Sequence, residues 1–158
     1  MKLGLYRAGL SAALCVLLSA CASAPPSPEV ERISFEPSPP PFCGRCETTR
    51  FTVGADGLLR GETGYWAGRY TDWRRQRFTR RVTPEQFAAF KQRLEPYRPD
   101  ADRSVNQYAC RAHITDDAEV RIAWELGEER RTLHVDLGCA DDRAMNDALV
   151  DAPRALGL

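Results

Sequence analysis

EVRIAWELGEERRTLHVDL, residues 119–137, contains two short segments in which apolar side chains alternate with charged or polar ones. The apolar positions are Val120, Ile122, Trp124, Leu133, Val135 and Leu137. Because successive side chains of a strand point to opposite faces, each segment predicts a strand with one buried face. The Leu-Gly-Glu-Glu stretch between the segments predicts the turn of an antiparallel hairpin.

A helix with a clear start motif precedes this hairpin. Residues 83–86 read Thr-Pro-Glu-Gln, which is a capping box with proline at the first helical position. Phe87, Phe90 and Leu94 share one face of the helix, and Pro96 ends it. The spacing therefore predicts a helix over residues 83–94 that buries one apolar side.

Shorter patterns predict the remaining elements. Residues 50–53 predict a strand, 55–57 a turn, 58–66 the returning strand and 68–82 a third strand. Near the end of the chain, Asp141 or Asp142 can cap a final helix, and Pro153 ends or distorts it. The apolar side of that helix consists of Met145, Leu149 and Ala152.

The resulting order, β-β-β-α-β-β-α, predicts an α+β fold. We expect a mainly antiparallel sheet with two helices, in a single small domain behind a proline-rich tether. Without the first 20 residues and the tether, about 117 residues remain, which is enough for one modest core.

The first 20 residues have the composition of a secretory signal. Lys2 and Arg7 precede a short apolar run that is too short to span a bilayer comfortably. The run ends in Leu-Ser-Ala and Cys21, which resembles the lipobox of bacterial lipoproteins, so we expect residues 1–20 to be removed and Cys21 to be acylated. Ala22 stands where an inner-membrane retention signal usually has aspartate, which favours the periplasmic face of the outer membrane.

Residues 21–41 are interpreted as the lipidated cysteine and its tether, and residues 42–158 as the folded domain. Residues 25–41 contain seven of the eleven prolines of the chain. Such a composition favours an extended polyproline-like chain.

Charge is distributed unevenly along the predicted domain. Residues 50–98 hold 11 basic and 5 acidic groups, whereas residues 99–158 hold 7 basic and 13 acidic groups. Without residues 1–20 the chain has 20 basic and 22 acidic groups, and this net charge of −2 disfavours nucleic acid as a partner. The two halves could attract each other within one fold, or the basic half could face lipid phosphates or another anionic partner.

Four cysteines remain in the mature chain once Cys15 leaves with the signal and Cys21 is acylated. An even number in an oxidising compartment predicts disulfides, and four cysteines allow three pairings. We favour Cys43 with Cys46 and Cys110 with Cys139, because the near pair can close on itself and the distant pair can tie two segments together.

Other uses of the cysteines are less favoured. A thioredoxin-like redox pair would sit at a helix N-terminus, but a strand-like segment follows Cys46. A zinc site is disfavoured because 28 residues separate Cys110 from Cys139. A c-type haem needs histidine directly after the second cysteine, and Glu47 occupies that position.

The sequence contains no recognised catalytic signature. His113 and His134 could form an acid-base or metal cluster with nearby aspartates, but no ligand spacing such as HExxH supports this. The aspartates concerned are Asp116, Asp117 and Asp136. We interpret His134 as a solvated residue on the outward face of its strand. Neither a GxSxG elbow nor a glycine-rich phosphate loop is present, so the sequence gives no positive indication of an enzyme, a cofactor or a metal.

Residues 64–78, GYWAGRYTDWRRQRF, form the candidate binding surface. They combine aromatic side chains with arginines, a composition that is enriched at interfaces and at saccharide or anion sites. The candidate residues are Tyr65, Trp66, Arg69, Tyr70, Trp73, Arg74, Arg75 and Arg77. The alternative is that the aromatic rings belong to the core and the arginines are simply solvated.

The order of these motifs resembles a bacterial domain family of unknown function, numbered sixty-four thirty-eight, here carried on a lipoprotein signal peptide. The resemblance covers residues 40–158. The matching parts are Gly44, Cys46, Asp56, Gly57, Gly61, the helix of residues 83–94 with residues 97–99 after it, Cys110, Thr115, Asp116 and residues 137–139. The chain departs from the family pattern at its start, where Phe42, Cys43 and Glu47 replace Cys, Phe and Pro. Because the family has no established activity, the resemblance implies no catalytic residues.

Together these observations predict a lipid-anchored, disulfide-stapled module that binds an envelope protein, a saccharide or an anionic partner. The alternative is a thiol-disulfide redox protein that uses Cys43 and Cys46. The sequence does not indicate an oligomeric state.

Overall fold

The predicted α+β fold is confirmed: among the residues that the structure describes, two helices accompany one seven-stranded, mainly antiparallel sheet. The computed structural model describes residues 29–39, 43, 46–66, 73–106, 108, 110–114 and 118–158. The strands are β1 (Arg32–Ser38), β2 (Thr48–Gly54), β3 (Leu58–Trp66), β4 (Trp73–Arg81), β5 (Arg103–Val105), β6 (Glu119–Leu126) and β7 (Glu129–Asp136). The helices are α1 (Pro84–Leu94) and α2 (Arg143–Asp151), and short 3₁₀ segments cover Glu95–Tyr97, Ala140–Asp142 and Ala152–Leu156.

The spatial order of the strands is β4-β3-β2-β1-β6-β7-β5. Neighbouring strands are antiparallel except β5, which pairs in parallel with β7. The predicted hairpin is β6 and β7, with Val120 opposite Val135 and Ile122 opposite Leu133. The predicted Asp-Gly turn joins β2 to β3, where Gly57 has a φ of 75° that favours glycine.

One face of the sheet packs against the helices and forms the core. Phe35 of β1 and Phe51 of β2 are stacked at 5.4 Å, and Phe90 of α1 meets both rings at 6.5 and 5.6 Å. Leu149 of α2 is fully buried in the same cluster. We call this the inner face of the sheet and the opposite one the outer face.

Both helix caps form as the sequence predicts. The Thr83 hydroxyl accepts from the Gln86 amide at 3.2 Å, and the Gln86 side chain accepts from the Thr83 amide at 2.9 Å. Asp142, rather than Asp141, caps α2 by accepting from the Met145 amide at 3.1 Å. Pro153 distorts the end of α2, since the chain continues there as a 3₁₀ segment.

The predicted boundary between tether and domain is wrong. Strand β1 lies inside residues 21–41 and pairs with β2 on one side and β6 on the other. Ile33 and Phe35 are buried at alternate positions, so this short segment carries the same period-two pattern as β6. Glu31 also accepts from the Lys91 ammonium at 2.6 Å, which ties the residue before β1 to α1.

The prolines around this segment concealed the strand. Pro37 stands opposite Val120 of β6, whereas the register of β1 on β2 runs only from Arg32 to Phe35. Because proline has no amide hydrogen to donate, it is tolerated where a strand no longer pairs with the neighbouring strand on one side. A proline-rich composition therefore did not exclude a strand.

Candidate functional site

Four charged residues meet on the outer face, on strands β2, β3 and β4. Arg50 and Arg77 stand directly opposite Glu62 in the strand register. Glu62 lies 2.8 Å from Arg50, 3.5 Å from Arg75 and 3.4 Å from Arg77, measured between the closest nitrogen and oxygen atoms. We call Glu62, Arg50, Arg75 and Arg77 the Glu62 cluster.

The cluster holds three positive charges against one negative charge. Burial raises the pKa of Glu62, but the nearby guanidinium groups, above all Arg77, lower it by more, so the pKa lies below its ordinary value of 4.5. The Glu62 side chain is only 12% exposed, whereas those of Arg50 and Arg77 are 54% and 88% exposed. The carboxylate is therefore largely covered, while the arginines present donor groups to solvent.

The predicted binding surface is divided between the two faces of the sheet. Arg75 and Arg77 point to the outer face with Glu62, and Tyr65 and Arg74 stand opposite each other at positions that alternate with them. Trp66 and Trp73 are paired in the register of β3 and β4. Arg69 and Tyr70 lie outside the described residues. The structure thus brings together two of the predicted arginines and adds Arg50 and Glu62 to them.

The charge asymmetry of the sequence has a spatial counterpart on the outer face. Arg50, Arg75 and Arg77 lie toward the β4 edge, whereas Glu119 and Glu125 lie on β6 at the other side of β1. Ion pairs form within each half of the sequence, as between Arg50 and Glu62 or between Arg130 and Glu125. The arginines of the basic region are thus paired with a carboxylate of their own half.

The cysteines pair as favoured from the sequence. Disulfides join Cys43 to Cys46 and Cys110 to Cys139, each with a Cα–Cα distance of 5.5 Å. Cys46 is followed within two residues by β2, and not by the helix N-terminus that would activate a redox thiolate. This local structure favours a structural role for the near disulfide.

The distant disulfide lies in a backbone network beside α2. The backbones of His113 and Cys139 form an isolated antiparallel β-bridge, and the Ile114 amide donates to the Gly138 carbonyl at 2.8 Å. Cys139 is 2% exposed. The disulfide therefore fixes the segment before β6 to the chain that links β7 with α2.

Both histidines make isolated pairs with carboxylates. His113 lies 2.8 Å from Asp136, and His134 on the outer face lies 3.2 Å from Glu119. The aspartates Asp116 and Asp117 lie outside the described residues. Within the part of the chain that the structure describes, no three metal-binding side chains converge.

The chain matches no family model and no curated protein at a significant level. The resemblance to a family of unknown function therefore stays a prediction. In the described ranges, none of the helices is long and apolar enough to cross a membrane.

Sequence reasoning missed Arg50 and Glu62, although both lie on segments that it assigned correctly as strands. Arg50 opens the predicted strand of residues 50–53, and Glu62 lies on the returning strand. Opposite charges at outward positions of two hairpin strands could have indicated the pair, because directly opposed side chains interact across a sheet.

Proposed function

We propose that the protein is a lipid-anchored binding module of the bacterial envelope that contacts anionic groups through the Glu62 cluster. The observation that carries the proposal is the convergence of three arginines on one carboxylate, on the sheet face opposite the helices. The lipobox-like sequence before Cys21 and the two disulfides support an envelope location, because disulfides persist in oxidising compartments.

The geometry favours phosphate groups as the anion. Guanidinium groups present several donors in a rigid plane and bind phosphate through paired hydrogen bonds. Glu62 holds the arginines close together without neutralising all of them, so a phosphate can complete the charge balance. The headgroup phosphates of the membrane that holds the anchor provide such a partner.

The tether keeps this partner within reach. Glu31 is already held by the domain through Lys91 and the Ala55 amide, so residues 22–30 are left between the acylated cysteine and the folded domain. At roughly 3.1 Å per residue, nine extended residues span about 28 Å. This distance lets a domain of this size turn its outer face to the same membrane.

Vesicle co-sedimentation tests the proposal with the chain from residue 21 onward, in which Cys21→Ser prevents acylation. We expect the protein to bind vesicles of phosphatidylcholine and phosphatidylglycerol more tightly than vesicles of phosphatidylcholine alone. Each arginine near an anionic surface contributes about 1 kcal/mol, or about fivefold in affinity. The triple variant Arg50→Gln, Arg75→Gln, Arg77→Gln should therefore bind the anionic vesicles about a hundredfold more weakly.

A second triple variant with the same charge change serves as the control. Arg93, Arg111 and Arg143 are exposed and lie outside the strands of the sheet, and their replacement by glutamine should weaken binding far less. Equal weakening by the two variants would show that net charge, and not this cluster, attracts the vesicles. Equal binding of the parent protein to neutral and anionic vesicles would also overturn the proposal.

A further inference from the structure

A cavity of about 400 Å³ lies between the inner face of the sheet and the C-terminal segment. Phe35, Phe51 and Val120 line it from the sheet, and Leu149 and Val150 line it from α2. Its volume falls in the range of about 300 to 1,000 Å³ that is usual for small-molecule sites. The cavity is thus a gap between two apolar layers, large enough to hold a ligand.

Several polar side chains at the rim already have partners within the protein. The Thr49 hydroxyl bonds to the Thr63 hydroxyl at 2.9 Å. Glu119 lies 3.2 Å from His134. Arg154 lies 2.8 Å from Asp151. Since each of these groups already has a partner within the protein, the cavity suits hydrocarbon better than a ligand with many hydrogen-bonding groups.

Pro37 lies between this cavity and two arginines of the Glu62 cluster. Beyond Phe35, β1 continues along β6 while β2 continues along β3, so the two strands separate at Pro37 and Thr49. Pro37 lines the apolar cavity on the inner face, and it also lines a smaller depression of about 120 Å³ with Arg50 and Arg75 on the outer face. An apolar site and a cationic site therefore share one wall.

We propose that the cavity binds the alkyl chain of an anionic amphiphile whose headgroup is held by Arg50 and Arg75. The assignment of the headgroup rests on the proposed function, whereas the assignment of the chain rests on the cavity. A free amphiphile and a membrane phospholipid offer this same chemistry. This binding site extends the proposed function, because it specifies that the anionic partner carries an alkyl chain.

Displacement of the apolar fluorophore N-phenyl-1-naphthylamine by n-alkyl phosphates, from hexyl to dodecyl, tests the chain component. The protein is again the chain from residue 21 onward with Cys21→Ser, and each phosphate is kept below its micelle concentration. Because a buried methylene contributes about 0.8 kcal/mol, affinity should rise about fourfold per methylene until the cavity is filled. An affinity independent of chain length overturns the assignment.

A matched pair of variants locates the binding. Val150 lines the cavity and is 56% exposed, whereas Leu126 is 42% exposed and lies at the β6–β7 turn. Val150→Asp should weaken dodecyl phosphate at least tenfold by placing a charge at the cavity, and Leu126→Asp should leave its affinity unchanged. Equal effects of the two variants overturn the location.

The headgroup is tested by comparing dodecyl phosphate with dodecanol. Arg50→Gln with Arg75→Gln should weaken the phosphate and leave the alcohol unchanged. If the chain-length series holds and the phosphate shows no arginine dependence, the proposed function of the cluster fails and the cavity remains. If phosphate binding depends on the arginines but its affinity does not change with chain length, the assignment of the cavity fails and the proposed function of the cluster stands.

Two further arms separate the possible occupants. Retention of dodecyl phosphate by the protein in the presence of vesicles indicates a free amphiphile as the preferred source. Its loss to the vesicles indicates a bilayer lipid. If the fluorophore does not bind the parent protein, the cavity accepts no external apolar ligand and the proposal is overturned.

Discussion

The two faces of the sheet come from the same strands but differ in chemistry. On the inner face, Ile33, Leu59 and Ile122 are completely buried. On the outer face, the same three strands present Arg32, Arg60 and Arg121 at adjacent, exposed positions. Because burial of apolar area drives folding, the inner face alone accounts for the fold. The outer face is mostly exposed, and its arginines are the basis of the binding role that we propose.

The largest expected effect separates the two faces directly. Phe90 is fully buried against Phe35 and Phe51, so Phe90→Ala should lower the free energy of unfolding by about 3 to 5 kcal/mol through lost packing and a cavity. Urea unfolding followed by circular dichroism measures this change.

Arg77 provides the control from the outer face, since its side chain is 88% exposed. Arg77→Ala should change the free energy of unfolding by no more than about 0.5 kcal/mol. Comparable losses from Phe90→Ala and Arg77→Ala would contradict the expectation that the inner face contributes most of the free energy of unfolding.

The disulfides give the next largest effect. Cys110 and Cys139 are 29 residues apart, and on the loop-entropy model the double replacement by serine should cost about 3.5 kcal/mol. Cys43 and Cys46 are three residues apart, and their double replacement should cost about 2 kcal/mol.

Chemical unfolding of the two double variants checks this order. The distant disulfide fixes the segment before β6 to the chain between β7 and α2, so its loss should destabilise the region beside α2. A larger loss from the Cys43 and Cys46 pair would show that the near disulfide holds more structure than its short loop suggests.

A smaller effect is expected at the start of α1. Thr83→Ala removes the hydroxyl that accepts from the Gln86 amide and should cost about 1 kcal/mol. Thr83→Ser keeps a hydroxyl at the same place and should retain most of the stability. Equal losses in thermal unfolding for the two variants would mean that the methyl group, and not the cap, stabilises this helix end.

The inner face was largely predictable from the sequence because its pattern is local. The β6–β7 hairpin follows from alternating residues, and α1 follows from the cap at Thr83 and the helical spacing of its aromatic residues. Strand β1 was missed because its prolines suggested a tether. Strand β5 was missed because three residues at an edge, paired in parallel with a distant strand, leave too short a pattern.

The candidate site was only partly predictable because it depends on register. Arg75 and Arg77 were selected from composition, but their meeting with Glu62 and Arg50 requires the alignment of three strands. The apolar cavity left no sequence signal at all, since its walls come from β1, β2, β6 and the C-terminal segment. Packing between layers determines such a space, and no short window of sequence contains it.

The smallest expected effect tests the electrostatics of the outer face. The pKa of Glu62 lies below 4.5 in the folded protein, since its arginine partners outweigh the effect of burial. A carboxylate with a lowered folded-state pKa stabilises the fold above its unfolded-state pKa, and this stabilisation is lost as the pH falls through the folded value. Glu62→Gln should therefore be less stable than the parent at pH 7.

The difference between the parent and Glu62→Gln should shrink as the pH is lowered below about 4.5, and melting temperatures from pH 7 to pH 3 would measure it. As the control, Glu62→Gln is repeated in a protein that already carries Arg50→Gln, Arg75→Gln and Arg77→Gln, where it should not reproduce this pH dependence because the groups that lower the pKa of Glu62 are absent. A Glu62→Gln variant as stable as the parent throughout would mean that the arginines are not held by this carboxylate. They would then be separate solvated charges, and the outer face would lack the preorganised cluster that distinguishes it from an ordinary charged surface.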